Sequence, residues 1–472
     1  MRYLSTRGSA PALSFEDTVL AGLAPDGGLY VPETVPAFSM PEIAAMQAMS
    51  YPELAFTVIS RFAGNIPPET LEAIIGESYG THLRSSASQA GLFRHAAVAP
   101  LAQLDAHTFL LELFHGPTLA FKDFALQFLG RLLGYMLEKR GEKAVIVGAT
   151  SGDTGSAAIE GCRGREGMEI VILHPYGRVS DVQRRQMTTV TDGNVHNIAI
   201  EGTFDDCQDI VKALFADAAF RDRHHLAAVN SINWARIVAQ IPYYFYAALQ
   251  LGAPAKAVSF SVPTGNFGDI YAGYMAKKMG LPVSQLIIAA NRNDILARCL
   301  ESGVYGMDKV TPTLSPSMDI QVSSNFERLL FDLHDRNGKT IDDRMARFRK
   351  EKQFTLSPSA WSRFKAEFSA GSVNDEDTKK TIADTYAASG VLLDPHSAVG
   401  LTAGQRCRRD TSAPLVALAT AHPAKFPDAV MAATGVTPAL PVHLQDLLRK
   451  KERFDTLKND TVAVKKYIER SL

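Results

Sequence analysis

Residues 113–124 read Leu-Phe-His-Gly-Pro-Thr-Leu-Ala-Phe-Lys-Asp-Phe, and they place a single lysine, Lys122, where a turn gives way to a helix. From Phe124 onward apolar residues recur every three or four positions, which predicts an amphipathic helix with Lys122 in its first turn. Aromatic neighbours would desolvate the amine, and the positive end of the helix dipole would disfavour its charge, so we expect the pKa of Lys122 to be lowered. A lysine with a low pKa is suited to Schiff-base chemistry. The alternative for this segment alone is an ordinary lysine that reaches into solvent.

Strand-like and helix-like segments alternate after this helix. Apolar runs of strand length occur at residues 144–149, 169–173 and 195–200, with helical patterns between them. A second series has strand-like runs at residues 257–262, 285–290 and 415–419, and residues 270–279 have a helical pattern. Strands that alternate with helices in this way form parallel sheets with helices on both faces. The predicted fold class is therefore α/β, with two doubly wound sheet domains.

Three loops at the carboxyl ends of predicted strands carry groups suited to anions, and ligands of open α/β sheets bind at such ends. Residues 263–269 contain two glycines before a helix, so their N–H groups could surround a phosphate. Residues 150–156 add hydroxyl donors, and residues 230–236 add an amide and a guanidinium. Each loop also has a structural alternative: a plain strand-to-helix connection, helix capping by Ser151 or Asp153, and a surface arginine.

Size, charge and cysteine spacing exclude several classes of protein. A chain of 472 residues is too long for one core and suggests two or three domains. A net charge of −1 gives no reason to expect nucleic acid or a membrane surface as the partner. The four cysteines have no metal-type spacing, and no apolar run resembles a signal peptide or a membrane span. We expect a cytoplasmic protein with no metal site.

Five segments taken together resemble the threonine synthases, in their longer bacterial and fungal form. They are residues 3–8, 27–32, 111–123, 149–155 and 263–269. The resemblance implies the fold of the tryptophan synthase β chain, which is fold type II of the enzymes that use pyridoxal 5'-phosphate, plus an N-terminal extension. It also implies three domains: residues 1–98; residues 99–135 with 245–472, carrying an elaboration at about 293–385; and residues 136–244.

The resemblance further implies a reaction and a role for individual residues. The enzyme would convert O-phospho-L-homoserine and water to L-threonine and phosphate, with pyridoxal 5'-phosphate bound to Lys122 as a Schiff base. The other residues implied to bind the cofactor are Gly265, Asn266, Phe267, Gly268 and Asp269 at its phosphate, Thr420 at its ring nitrogen, and Asp153. Those implied to receive the substrate's carboxylate and phosphate are Thr150, Ser151, Thr154, Asn230 and Arg236.

Asp153 departs from the pattern of the shorter relatives, which have Asn beside the cofactor's phenolic oxygen. Two anionic oxygens at this point would repel each other, so Asp153 is expected to be protonated or to point elsewhere. His115, Asp123 and His422 are expected to position other groups rather than to react.

Two other functions stay open from the residues alone. A serine or threonine dehydratase, or another β-eliminating lyase on the same fold, would need only a pocket for the substrate's carboxylate. A non-catalytic sensor of a phosphorylated metabolite would be expected to lack the lysine, and Lys122 is present.

Overall fold

The computed structural model describes residues 1–81 and 91–471, and its contacts divide the chain into two units. The first unit comprises Met1–Gly116 and Ser231–Pro438, and the second comprises Pro117–Asn230 and Ala439–Leu472. No helix among the described residues is both long and apolar enough to cross a membrane.

The N-terminal part of the first unit is mainly helical. Strands β1 and β2 pair antiparallel, and the rings of Tyr3 and Phe62 lie 6.0 and 5.9 Å from that of Trp234, so this part packs on the segment that follows residue 231. Its elements are β1 (Tyr3–Ser5), α1 (Phe15–Ala21), β2 (Tyr30–Pro32), α2 (Met40–Ala45), α3 (Tyr51–Ile59), α4 (Pro68–Tyr79), β3 (Leu101–Gln103) and β4 (Thr108–Glu112).

The second unit begins with the helix that carries the lysine, and this helix starts at Lys122, so the predicted first-turn position is confirmed. Thr203 caps α8: Asp206 N–H donates to its hydroxyl, and the Asp206 carboxylate accepts from Thr203 N–H at 2.6 Å. The elements are α5 (Lys122–Arg140), β5 (Ala144–Ala149), α6 (Asp153–Cys162), β6 (Met168–Pro175), α7 (Asp181–Thr188), β7 (Val195–Glu201), α8 (Phe204–Ala216), α9 (Ala218–Arg223) and β8 (Leu226–Ala227).

The chain then returns to the first unit. The elements are α10 (Trp234–Val238), α11 (Ile241–Gln250), β9 (Val258–Pro263), α12 (Gly268–Lys278), β10 (Val283–Ala290), α13 (Ile295–Ser302), β11 (Val304–Gly306), α14 (Phe326–Leu333), α15 (Gly338–Glu351), β12 (Gln353–Thr355), α16 (Pro358–Glu367), β13 (Phe368–Ser372), α17 (Asp375–Ser389), α18 (Pro395–Cys407), β14 (Leu415–Ala419) and α19 (Pro427–Thr434).

The main sheet of the first unit has the strand order β13-β10-β9-β14-β4-β3 and is parallel except for β3. Every residue of β9 and β14 is buried; β14 is apolar throughout, as expected of a strand covered on both faces, whereas β9 includes Ser259 and Ser261. Because β9, β14 and β4 are parallel neighbours, their carboxyl ends lie at one edge of this sheet. The loop after β9, Thr420 and His115 all follow these ends.

The C-terminal segment completes the sheet of the second unit with β15 (Asp455–Lys458), followed by α20 (Thr461–Ser471). The sheet is parallel, in the order β15-β7-β6-β5-β8, and Val464 and Ile468 of α20 join its core. Strand β15 follows residues 415–419, the last strand-like run in the sequence, and was not predicted. β15 reads Asp-Thr-Leu-Lys, and an edge strand this polar has no apolar run to reveal it.

The predicted α/β class with two parallel sheets is confirmed. The two units differ in extent from the predicted domains 1–98, 99–135 with 245–472, and 136–244, which stay a prediction. Helix α5 belongs wholly to the second unit because it packs on α6, and residues 439–472 belong there because β15 pairs with β7. The elaboration at residues 293–385 supplies β13, the edge strand beside β10.

Candidate active site

Lys122 follows a turn that Asp123 holds in place. The Asp123 carboxylate accepts hydrogen bonds from the N–H and hydroxyl of Thr118 at 2.9 and 2.7 Å, and the Thr118 carbonyl accepts one from Gln186 of α7 at 3.1 Å. The Lys122 side chain is only 12% exposed, and its Nζ lies 4.8 Å from the centre of the Phe121 ring. The amine is therefore largely desolvated, and Asp123 has the positioning contacts expected of it.

The carboxylate of Asp153 faces Lys122 in the second unit. Its Oδ2 lies 3.4 Å from Lys122 Nζ, and its Oδ1 accepts a hydrogen bond from Gln183 of α7 at 2.8 Å. A carboxylate with donors at both oxygens is favoured in its ionised form. The contacts therefore direct the Asp153 side chain at Lys122 and Gln183, and its expected place beside the cofactor stays a prediction.

Helices α5 and α6 begin with these two residues and cross at a pair of glycines. A Cβ at Gly130 would lie 2.2 Å from the Gly161 carbonyl oxygen, and one at Gly161 would lie 2.4 Å from the Leu126 carbonyl oxygen. Only glycine permits this backbone contact. The crossing therefore sets the separation of the helix ends that carry Lys122 and Asp153.

The loop of residues 150–156 is organised by the hydroxyl of Thr150. Its oxygen accepts hydrogen bonds from Gly152 N–H and Gly155 N–H, both at 2.9 Å. Thr150, and not Ser151 or Asp153, therefore caps the start of α6. Within the described residues, the hydroxyls of Ser151 and Thr154 make no hydrogen bond to another protein atom. These two hydroxyls can therefore donate to a ligand at the start of α6. Asn230 is an exposed residue at the end of the same unit's first segment.

In the first unit, residues 263–269 form a loop whose N–H groups surround the start of α12. Phe267 takes a left-handed conformation with φ of 64°. Across residues 1–81 and 91–471, no protein acceptor takes a hydrogen bond from the N–H groups of Gly265, Asn266, Phe267 or Gly268. A Cβ at Gly265 would lie 2.9 Å from the Ser317 carbonyl oxygen, so the backbone is closely packed there. Four free donors at a helix N-terminus fit a phosphate.

The carbonyl side of this loop is held by residues that the sequence analysis did not single out. The Ser323 hydroxyl donates to the Gly265 carbonyl, and the backbone and side chain of Asn325 donate to the Asn266 carbonyl at 3.0 and 3.1 Å. Both residues lie in the region 293–385, for which the sequence predicted no site residue. Nothing in a polar segment of serines and asparagines marks such a role in advance.

Asp269 anchors the first turn of α12 to α11. Its Oδ1 accepts hydrogen bonds from the phenols of Tyr243 and Tyr244 at 2.5 and 2.8 Å. Burial, reinforced by Asp269, raises the pKa of both phenols well above the ordinary range, so both stay protonated donors. That Asp269 binds the cofactor stays a prediction.

Thr420 directly follows β14 and is 5% exposed. Its N–H donates to the Ser397 hydroxyl oxygen at 3.1 Å, and that hydroxyl donates to the Asp394 carboxylate. The same carboxylate lies 2.7 Å from Nδ1 of His396, whose Nε2 accepts from Ser317 N–H at 3.2 Å. One buried polar network therefore fixes both Thr420 and the segment packed against Gly265. None of Asp394, His396 and Ser397 was predicted from the sequence.

Arg236 lies on α10, and this helix passes beside the glycine loop: the next residue, Ile237, would lie 3.6 Å from a Cβ placed at Gly268. Arg236 is 5% exposed, so the surface-arginine alternative is wrong. Burial lowers the pKa of Arg236 to about 10. A cation that burial disfavours gains from an anion bound beside it.

The two histidines singled out by the sequence make structural contacts. His115 Nε2 lies 2.7 Å from the Glu112 carboxylate, and His422 Nδ1 accepts from Ala424 N–H at 3.1 Å. Burial, reinforced by His115, lowers the pKa of His422 to about 4, so His422 is neutral at physiological pH.

The chain is similar to known proteins over nearly its whole length. Family models described as the threonine synthase N terminus, the pyridoxal-phosphate dependent enzymes and the threonine synthase C-terminal region match residues 2–79, 92–348 and 397–468. A threonine synthase of Pseudomonas aeruginosa is 58% identical, over 99% of this chain and 98% of that protein. The chain belongs to the threonine synthase family. A Saccharomyces cerevisiae threonine synthase is 44% identical, over 100% of this chain and 98% of that protein.

Solved threonine synthase structures have the same fold. The pyridoxal-phosphate-bound enzyme of Brucella melitensis matches with a TM-score of 0.95 and 54% identity, covering 100% of this chain and 99% of that one. The yeast enzyme matches with a TM-score of 0.92 and 42% identity, covering 100% and 98%. The cofactor of this threonine synthase family member is pyridoxal phosphate. A desolvated lysine, a loop with four free N–H donors and a buried hydroxyl at the same sheet edge as that loop fit this group.

Proposed function

We propose that this chain converts O-phospho-L-homoserine and water to L-threonine and phosphate, as the last step of threonine biosynthesis in the cytoplasm. The substrate carries a phosphate of its own, in addition to the cofactor's. The observation that carries the proposal is the burial of Arg236, a fork-shaped cation that lies on a helix of its own beside the loop suited to the cofactor phosphate. A dehydratase acting on serine or threonine would not need this cation, because its substrate carries no phosphate.

Lys122 and Asp153 would handle protons at the substrate. Pyridoxal phosphate, when bound, supplies the electron sink that stabilises negative charge at the α carbon. Lys122 Nζ would hold the cofactor in the resting enzyme and then act as the base that moves protons at the α and neighbouring carbons. The Asp153 carboxylate, 3.4 Å from that nitrogen, would stabilise the ammonium form after each proton is taken.

The remaining residues would bind and orient. The N–H groups of Gly265, Asn266, Phe267 and Gly268 would hold the cofactor phosphate, and the Thr420 hydroxyl would meet the ring nitrogen without the charge that a carboxylate would bring. The hydroxyls of Thr150, Ser151 and Thr154, the Asn230 amide and the Arg236 guanidinium would receive the substrate's carboxylate and phosphate.

The reaction is tested by comparing the products released from three substrates. Protein reconstituted with pyridoxal phosphate is expected to release phosphate from O-phospho-L-homoserine much faster than it releases ammonia from serine or threonine. Reduction with borohydride should bleach the visible band and leave the label on Lys122, and Lys122→Ala should take no label. Faster ammonia release would favour a dehydratase, and a protein that takes no label would contradict the enzyme assignment.

Arg236 gives a second test that separates substrate from cofactor. Replacing it with methionine, which is apolar and of similar length, should raise KM for O-phospho-L-homoserine far more than it raises Kd for pyridoxal phosphate. Arg236→Lys keeps the charge without the fork and should lie between methionine and wild type. An equal loss of cofactor and substrate binding in Arg236→Met would contradict this role.

A further inference from the structure

The side chain of Asn325 hydrogen-bonds to two separate segments of the first unit. Its amide nitrogen donates to the carbonyls of Ser231 and Asn266, both at 3.1 Å, and its backbone N–H donates to Asn266 at 3.0 Å. Ser231 begins the segment that leads to Arg236, and Asn266 lies in the loop suited to the cofactor phosphate. One fully buried amide therefore joins the two anion-binding segments of this unit.

Arg328, one turn along α14, holds Asn325 in this position. Its guanidinium donates to Asn325 Oδ1, to the Ile232 carbonyl at 2.6 Å and to the Tyr30 carbonyl at 3.0 Å. Its Cζ also lies 5.5 Å from the centre of the Trp234 ring. Arg328 therefore ties Asn325 to the segment before α10 and to strand β2 of the N-terminal part.

The chemistry of this pair favours a positioning role over simple packing. Arg328 is 0% exposed, and burial lowers its pKa to about 10. A buried guanidinium is a poor choice for filling a core, since well-packed apolar residues often give equal or greater stability. What it provides here is a rigid set of donors aimed at several acceptors, which a lysine cannot reproduce.

We propose that Asn325 and Arg328 are positioning residues that fix the cofactor-phosphate loop and the Arg236 segment relative to each other. The Asn325 amide sets the distance between the Ser231 and Asn266 carbonyls, and therefore directs the N–H groups on the other side of the loop at residues 265–268. The part of this proposal that concerns substrate rests on the proposed function. The part that concerns the cofactor does not.

Asn325→Asp tests the proposal with little change in shape. The aspartate keeps the acceptor for Arg328 and strengthens it with charge, but it replaces the amide donor with an oxygen that repels the carbonyls of Ser231 and Asn266. We expect Kd for pyridoxal phosphate, from absorbance titration of the apoprotein, to rise about tenfold, because losing a buried hydrogen bond typically costs that much. KM for O-phospho-L-homoserine should also rise, while the apoprotein's Tm stays within a few degrees of wild type.

Glu327→Gln is the matched control on the same helix. Glu327 is 5% exposed and accepts hydrogen bonds from the Thr6 hydroxyl at 2.6 Å and from Arg7 at 3.1 and 3.0 Å, all in the N-terminal part. This variant should lower Tm and leave Kd for pyridoxal phosphate unchanged. The proposal is overturned if Asn325→Asp changes that Kd by less than about threefold, or if Glu327→Gln raises it as much. Failure of the proposed function would appear instead as a wild-type protein that releases no phosphate, with the cofactor titrations unaffected.

Discussion

Helix α5 has two glycines near its crossing with α6, Gly130 and Gly134. We expect replacement with alanine to change the stability of the protein in opposite directions at the two positions. A Cβ at Gly130 would lie 2.2 Å from the Gly161 carbonyl oxygen and 2.6 Å from the Gly161 carbonyl carbon. Both atoms belong to the backbone of α6, so no side chain can rotate away. At Gly134, one turn further on, the nearest atom is Arg165 Cδ at 3.7 Å, an ordinary contact.

Two effects decide the stability of each alanine variant. Replacing a helical glycine with alanine stabilises the helix by about 1 kcal/mol. Overpacking a tight contact costs about 1–3 kcal/mol, and we expect the upper end at Gly130 because the two helices must separate by about 1 Å. Gly130→Ala should therefore lower the free energy of unfolding by about 2 kcal/mol, and Gly134→Ala should raise it by about 1 kcal/mol.

Thermal unfolding of the apoprotein measures both changes without a contribution from bound cofactor. At about 2–4 °C per kcal/mol for a domain of this size, Tm should fall by about 4–8 °C in Gly130→Ala and rise by about 2–4 °C in Gly134→Ala. Kd for pyridoxal phosphate should rise only in Gly130→Ala, because the separation of the helices moves Lys122 away from Asp153. The reasoning is refuted if Gly130→Ala is as stable as Gly134→Ala.

Three further predictions concern other parts of the chain. Gly265→Ala should raise Kd for pyridoxal phosphate about tenfold in an absorbance titration, and Gly268→Ala should raise it less, because their Cβ atoms would lie 2.9 Å from the Ser317 carbonyl oxygen and 3.3 Å from the Asn325 side-chain nitrogen. Tyr243→Phe should cost about 1–3 kcal/mol in denaturant unfolding, since the phenol donates to the buried carboxylate of Asp269 at 2.5 Å. Burial lowers the pKa of His174 to about 4, below its value in the unfolded chain, so its contribution to stability is present above pH 6.5 and is lost as the pH falls through 4, by up to about 3 kcal/mol. His174→Gln should flatten that pH dependence of Tm, and a variant with the wild-type slope would contradict this cause.

The sequence predicted those helices and strands whose own residues show the hydrophobic pattern typical of the element. Strands β5 and β14 match the strand-like runs at residues 144–149 and 415–419, because parallel strands covered on both faces are mostly apolar. Strand β15 escaped prediction because it lies at a sheet edge and takes its stability from pairing with β7 and from α20. Its polar residues show no pattern from which those contacts could be predicted.

In the candidate site, too, the residues that were predicted have a local sequence pattern and those that were missed do not. Lys122 and the glycine loop were identified because each combines a reactive or permissive residue with a recognisable local pattern. Gln183, Ser397 and Asn325 were missed because their roles depend on the tertiary fold. Each is a common polar residue that holds a site segment distant in the chain: Gln183 holds Asp153, Ser397 holds Thr420 and Asn325 holds Asn266.

These contacts share a feature that bears on how the enzyme would fail. In each case a buried side chain that would not itself touch a ligand holds the backbone or carboxylate that would touch it. A buried polar network that loses one member keeps the desolvation cost of the remaining groups, so the segment moves to find new partners. Binding energy that depends on such positions is lost in steps of about tenfold even where no ligand contact has been changed. Variants of Ser397, Gln183 or Asn325 should therefore weaken cofactor or substrate binding while the amine that performs the chemistry is intact.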